Sequence, residues 1–224
     1  MNGKTKTFGI IAIICAALAV TFLTNIPTWL KYKNNEITDL NSETLVLTKG
    51  DIIEGDADYV LGAAAEEYST NFGVRTSDSS SKLYYVLWLD NNKYALYETG
   101  NKDQYATLDK ITDETFAFFD SQAAYQESGD VEDLKLPTTK LHITGRVVNM
   151  SSEIQGYFRE WYNQAFDDNE FDSCTETVMI TNAAFDRLGI TVIIGAVGAV
   201  LALLFLVLTV ISFIKGKQGS EYGY

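Results

Sequence analysis

The side chains best suited to acid–base or nucleophilic chemistry are scarce in this sequence. It contains one histidine, His142, and two cysteines, Cys15 and Cys174. A thiolate activated by an imidazole is a common nucleophile, and Cys174 with His142 is the one pair of this kind outside the apolar stretches. A single histidine excludes zinc sites built from several histidines. We interpret His142 as a half-exposed histidine on a strand, with the nucleophilic pair as the alternative.

No other motif selects a reaction. Phosphate-binding loops, dinucleotide-binding glycine patterns, the serine-hydrolase elbow and the zinc-protease motif do not occur. The 30 acidic residues offer many carboxylate pairs for glycoside hydrolysis, but no spacing singles one out. One predicted turn is strongly acidic and contains Asp167, Asp168, Asn169, Glu170 and Asp172. It lacks the glycine and the glutamate of an EF-hand calcium-binding loop. We therefore interpret it as a solvated turn, with a weak ion site as the alternative. The sequence therefore predicts no catalytic residue, no cofactor and no metal site.

Aromatic residues are concentrated in one predicted β-hairpin. They are Tyr84, Tyr85, Trp88, Tyr94 and Tyr97. Any of these rings that face outward would offer a flat surface to a ligand or partner, whereas the others would pack in the core.

Two apolar stretches determine where such a site would lie. Residues 189–214 carry no charge over 26 positions, and as a helix they would extend roughly 39 Å, enough to cross a bilayer. Residues 8–26 form a second stretch, for which a cleaved signal peptide ending near Ala19 is the alternative. We favour a retained span, because apolar residues continue to Pro27, and Trp29 and Tyr32 follow where interfacial aromatics are expected.

Small residues recur at helical spacing in both stretches. Ala12, Ala16 and Ala19 share one face of the first, and residues 195–199 and 198–202 are small-xxx-small pairs in the second. Such faces allow close helix packing, within the chain or between copies. The expected partners are the lipid bilayer and, through these faces, a membrane protein or a second copy.

Charge indicates the orientation. The terminal sides of the two stretches carry four lysines, at 4, 6, 215 and 217, against three basic residues on the other side, at 31, 33 and 187. The signal-like amino terminus points the same way, so residues 1–7 and 215–224 are expected in the cytoplasm and residues 31–187 outside. This middle part carries 29 of the 30 acidic and 13 of the 17 basic residues, a formal charge of about −16 that excludes nucleic acid as a partner. Because one cysteine is in each region, no intramolecular disulfide is expected, as is ordinary for Gram-positive extracytoplasmic domains.

The pattern of residues 31–187 predicts an α+β domain with a mainly antiparallel sheet and two helices, placed between two transmembrane helices. The strands are expected at residues 44–48, 51–54, 63–68, 83–89, 94–98, 141–150 and 174–181. Helices are expected at 108–127 and at 152–167, the second starting with a capping box from Ser152 to Gln155. Its expected core stripe is Ile154, Tyr157, Phe158, Trp161 and Ala165.

The sequence resembles an uncharacterised family of two-span membrane proteins from Gram-positive bacteria. The resemblance lies in residues 49–55 (KGDIIEG), residues 64–68, the Tyr84–Tyr85 strand, and the strand at 141–147 with the following helix. It implies the architecture above and no activity.

Three functions remain open. The leading hypothesis is a non-catalytic, membrane-anchored interaction or accessory subunit; the alternatives are a module that binds a small ligand or cell-wall component, and a carboxylate-dependent hydrolase. An exposed aromatic cleft would favour binding, two buried carboxylates in one pocket would favour hydrolysis, and neither feature would favour the accessory role.

Overall fold

The computed structural model describes residues 3–68, 70–71, 74–75, 81–128, 134–166, 170–182, 185 and 188–221. The chain forms two compact units. Unit 1 comprises Met1–Asn35 and Ala184–Tyr224, and unit 2 comprises Glu36–Ala183.

Unit 1 is a pair of long apolar helices. Its elements are α1 (Gly3–Leu23), α2 (Ile26–Lys33) and α6 (Leu188–Glu221). The stretches Thr5–Lys33 and Leu188–Lys215 are long and apolar enough to cross a membrane. Pro27 stands at the start of α2, where its missing N–H and fixed φ are tolerated, so the helix resumes there after a short break.

Small residues let α1 and α6 pack closely and antiparallel. Near one end, the Thr5 and Ser212 hydroxyls are 2.9 Å apart. Near the other end, a Cβ added to Gly195 would come within 3.1 Å of Leu23. Ala12 and Ala19 are buried as their spacing predicts, but Ala16 is exposed. The small-residue faces are therefore used within the chain, and both terminal segments lie at the same end of this helix pair.

Unit 2 is built on a seven-stranded mixed sheet in the order β1-β2-β8-β9-β7-β6-β3. Strand β1 pairs parallel with β2, and β7 pairs parallel with β9; the other neighbours are antiparallel. The strands are β1 (Ile37–Asp39), β2 (Ile52–Ala57), β3 (Val60–Glu67), β6 (Lys82–Trp88), β7 (Tyr94–Thr99), β8 (Leu141–Asn149) and β9 (Thr175–Asn182). A separate two-stranded ladder joins β4 (Thr70–Asn71) to β5 (Val74–Arg75). The expectation of a mainly antiparallel sheet is corrected to a mixed one.

The connection between β2 and β3 requires the sheet to curl. These strands are second and last in the sheet order, five strand spacings apart, which is about 24 Å in a flat sheet. Only Asp58 and Tyr59 separate them in the chain, so Ala57 and Val60 are at most about 11 Å apart. The sheet therefore bends until its two ends meet, as in a barrel. We call the meeting point at Asp58–Tyr59 the seam.

Alternate residues of each strand face two different cores. Tyr85 and Leu87 of β6 join a cluster that includes Ile53 of β2 and Val60 of β3. Tyr84 and Val86 join the opposite cluster, which is covered by Phe158, Tyr162 and Phe171. Strand β6 thus has apolar residues on both faces and a neighbouring strand on each side.

Three helices are described in unit 2 rather than the expected two. They are α3 (Lys102–Ser128), α4 (Ser152–Ala165) and the short α5 (Phe171–Cys174). Helix α3 begins six residues earlier than expected, because the Asn101 side chain accepts a hydrogen bond from the N–H of Asp103 and caps it.

Several local expectations are also corrected. The cap of α4 is Ser151, not Ser152, since the Ser151 hydroxyl accepts from the N–H of Ile154. The buried face of α4 contains Phe158 and Tyr162, whereas Tyr157 is 46% exposed. Residues 44–48 form no strand, although Leu45 and Leu47 are buried in the core.

Candidate functional site

His142 is held between two carboxylates on β2. Its Nδ1 is 2.9 Å from Asp56 Oδ1 and its Nε2 is 3.1 Å from Glu54 Oε1. These two hydrogen bonds raise the pKa of His142, Asp56 being the larger cause. With both ring nitrogens bound to carboxylates, the imidazole has no free nitrogen for a nucleophile or metal. The interpretation of His142 as a half-exposed strand histidine is confirmed, since its side chain is 58% exposed.

Cys174 lies elsewhere, at the last residue of α5. Its Sγ is 3.8 Å from Glu170 Oε2. Because both ring nitrogens of His142 are bound to Asp56 and Glu54 instead, the alternative of a Cys174–His142 nucleophilic pair is not formed. Residues Asp167, Asp168 and Asn169 of the acidic turn lie outside the described residues, and Asp172 pairs with Arg159 at 2.6 Å. Within the described ranges, no group of three or more His, Cys, Asp or Glu side chains could hold a metal ion.

The hairpin aromatics serve mainly the core. Tyr84, Tyr85 and Tyr97 are at most 4% exposed, and Tyr94 stacks on Phe166 at 5.2 Å between ring centroids. Trp88 differs, because it is half-buried and lines an open cleft.

This cleft has a volume of about 180 Å³. It lies where the end of β6 meets the seam, and α3 closes one side. Its lining consists of Tyr59, Trp88, Leu89, Asp90, Asn92 and Phe118. We call it the aromatic cleft.

The walls of the aromatic cleft support one another. The centroid of the Tyr59 ring lies 5.3 Å from that of Trp88 and 5.7 Å from that of Phe118, and in both pairs the ring planes are tilted against each other. The backbone N–H of Trp88 donates to the backbone carbonyl of Tyr59 at 3.1 Å, and this hydrogen bond joins β6 to the seam. The Val60 N–H donates to the buried Thr115 hydroxyl at 3.2 Å, which fixes the turn of α3 that carries Phe118. The rings are therefore positioned by sheet and helix rather than by a loose loop.

A smaller recess of about 10 Å³ adjoins the aromatic cleft. Four residues line both spaces: Tyr59, Trp88, Leu89 and Asp90. The recess is also lined by Asp58, whose Oδ2 accepts from the Lys140 ammonium at 2.9 Å. The other oxygen of Asp58, Oδ1, is buried and has no hydrogen-bond partner among the described residues.

Three of the residues that line the recess are acidic: Asp56, Asp58 and Asp90. Burial and the nearby charges of Asp58 and Glu43 raise the pKa of Asp90. The pKa of Lys140 is also raised, first by its hydrogen bond with Asp58 and then by the surrounding carboxylates. Aromatic faces carry negative charge at their centres, so the cleft and the recess both favour a cation.

A close approach of two backbone segments supports the recess from below. Asn41 accepts from the Asp56 N–H at 2.8 Å and donates to the Asp56 carbonyl at 2.9 Å. This contact is possible because residue 55 is glycine: a Cβ there would stand 2.6 Å from Asn41 Oδ1 and 2.7 Å from Leu40 Cβ.

Sequence reasoning found only part of this site. The aromatic hairpin points to Trp88 as a candidate binding residue, but no sequence pattern points to Tyr59 or Asp58. The sequence signal for these two residues is weak, because they are simply an acidic and an aromatic residue in a short connection. They become part of a site only because the sheet curls. Phe118 is only 8% exposed, yet it lines the aromatic cleft.

Together, the fold and the site define an α+β protein with two apolar helices and, among the described residues, an open cleft lined by aromatic rings. The chain belongs to the family of the domain of unknown function DUF8577, whose profile matches residues 2–215. No curated protein and no solved structure matches the chain.

Proposed function

We propose that this protein is a membrane-anchored binding protein, in which unit 2 lies outside the cytoplasm and binds a small organic ligand in the aromatic cleft. The observation that carries the proposal is the cleft itself: an open space of about 180 Å³ between three rings, with polar groups at one end. Typical small-molecule sites measure roughly 300–1,000 Å³, so the bound group is the size of one side chain or one ring.

The anchoring has separate support. The lysines at 4, 6, 215 and 217 flank the two apolar helices, and the antiparallel packing of α1 and α6 brings both terminal segments to one end. This arrangement favours two spans with both termini in the cytoplasm. A Gram-positive source, suggested by the resemblance of the sequence, belongs to the same proposal.

The other two functions have less support. A hydrolase of the glycosidase type needs a carboxylic acid and a carboxylate enclosed together, whereas Asp90 is exposed and Asp58 is paired with Lys140. An accessory role through the small-residue faces remains a prediction, and those faces contact the other helix of the same chain.

The test is ligand-observed NMR on the full chain in neutral maltoside micelles, with protein-free micelles as reference. The probes are benzylamine, benzyl alcohol and phenylacetate, which share one ring and differ in charge. We expect at least one probe to bind, and Trp88→Leu to weaken it by about tenfold, because stacking on the ring is lost.

The matched control is Tyr157→Leu, which removes an exposed aromatic ring from α4, away from the cleft. It should leave binding unchanged. Absence of binding for all three probes, or equal effects of the two variants, would refute a ligand site in the aromatic cleft.

A further inference from the structure

The recess beside the aromatic cleft has the size of one small polar group. Its volume of about 10 Å³ is close to the minimum that holds a water molecule. A buried carboxylate oxygen that lacks a donor is unfavourable, and Asp58 Oδ1 is such an oxygen within the described chain. The recess therefore favours a group that is small, donates hydrogen bonds and is positively charged.

We propose that the recess receives the primary ammonium group of an organic ligand whose apolar body lies between Tyr59, Trp88 and Phe118. This inference rests on the proposed function and names its ligand class. A primary ammonium is about as large as water, carries three donors and has no acceptor to be left unpaired. The neighbouring rings then contact the carbon atoms beside the charge, where cation–π attraction acts.

Other head groups fit less well. A trimethylammonium group has no N–H to offer Asp58 Oδ1 and is too large for a recess of this volume. A carboxylate would be repelled by Asp90 itself and by Asp58 and Glu43, whose charges raise the pKa of Asp90. A hydroxyl fits by size but brings no charge, so its hydrogen bond is weaker.

The chain already contains one example of the proposed contact. The Lys140 ammonium binds Asp58 Oδ2 at 2.9 Å, and the Lys140 side chain is 54% exposed. Lys140 neutralises part of the charge that would attract a ligand. Removing it should strengthen the binding of an ammonium, whereas removing Asp58 should weaken it.

The test compares three probes that share a benzyl body: benzylamine, benzyl alcohol and benzyltrimethylammonium. Affinities are measured by NMR titration of the full chain in neutral maltoside micelles. We expect benzylamine to bind about tenfold or more tightly than either of the other two, as a charge-assisted hydrogen bond requires. Asp58→Asn should remove this preference and leave benzyl alcohol unaffected.

Two further variants separate recognition from folding. Lys140→Gln should tighten benzylamine binding, an increase that a damaged fold would not produce. Asp172→Asn makes the same chemical change as Asp58→Asn at a surface pair with Arg159, and it should alter nothing.

The outcomes distinguish the two proposals. Equal affinities for benzylamine and benzyl alcohol, or for benzylamine and benzyltrimethylammonium, would overturn the ammonium site while the aromatic cleft stands. Unchanged benzylamine binding in Asp58→Asn would also overturn it. Failure of every probe, charged or neutral, would overturn the proposed function as well.

Discussion

Replacing Gly55 by alanine tests how the recess is held together. The added Cβ would lie 2.7 Å from Leu40 Cβ and 3.2 Å from the Leu40 nitrogen, neither of which is the flexible end of a side chain. The segment at residues 40–41 must therefore move away from β2. Such overpacking costs about 1–3 kcal/mol. Displacement of Asn41 also weakens its two hydrogen bonds to Asp56, each worth about 1 kcal/mol.

The expected loss of unfolding free energy for Gly55→Ala is thus about 2–4 kcal/mol. Benzylamine affinity should fall with it, because Asn41 and Asp58 both line the recess. The assay is urea unfolding of the full chain in maltoside micelles, followed by tryptophan fluorescence, with the NMR titration alongside.

Gly156→Ala is the matched control. Gly156 lies on the exposed face of α4, and a Cβ there meets nothing within 4 Å. Alanine has the higher helix propensity, so this variant should gain about 0.4–1 kcal/mol. If Gly55→Ala had the same unfolding midpoint as the unsubstituted protein, the close approach of residues 40–41 to β2 would be refuted.

Two further predictions concern acid stability and orientation. Hydrogen bonds from the backbone and hydroxyl of Thr139 and from the backbone of Thr138 lower the pKa of Glu114 to about 2. Its carboxylate therefore stabilises the fold above its ordinary pKa of 4.5, and this contribution is lost as the pH falls towards 2. Glu114→Gln should lower the unfolding midpoint at pH 7 and reduce its change between pH 5 and 2; an unaltered acid profile would contradict the assignment. For orientation, a charged maleimide should label Cys174 on intact cells without reaching Cys15, and labelling of Cys174 only after lysis would reverse the topology.

Local patterns predicted the elements of this fold well. The turn before Tyr94 requires a residue that tolerates positive φ, and Asn92 has φ 62°, so the β6–β7 hairpin was visible in the sequence. Absence of charge likewise indicated both apolar helices. Leucines 45 and 47 alternate as a strand would, but their segment packs on the core without pairing.

Long-range pairing was not predictable in the same way. Leu96 in β7 lies beside Met179 in β9, and no local signal indicates that two strands so far apart pair in parallel. The aromatic cleft depends on this pairing, because the seam exists only once the sheet has curled. Tyr59 and Trp88 meet for that reason, not because of their spacing in the chain.

The two-residue connection at Asp58–Tyr59 has a mechanical consequence. A ligand bound there would contact both sides of the seam and so hold the two ends of the curved sheet together. Ligand binding would therefore raise the free energy needed to open the sheet, by an amount that grows with the logarithm of the ligand concentration. Backbone amide hydrogens in the edge strands β1 and β3 would then exchange more slowly with the ligand bound than without it, whereas those of a loop remote from the seam would be unaffected.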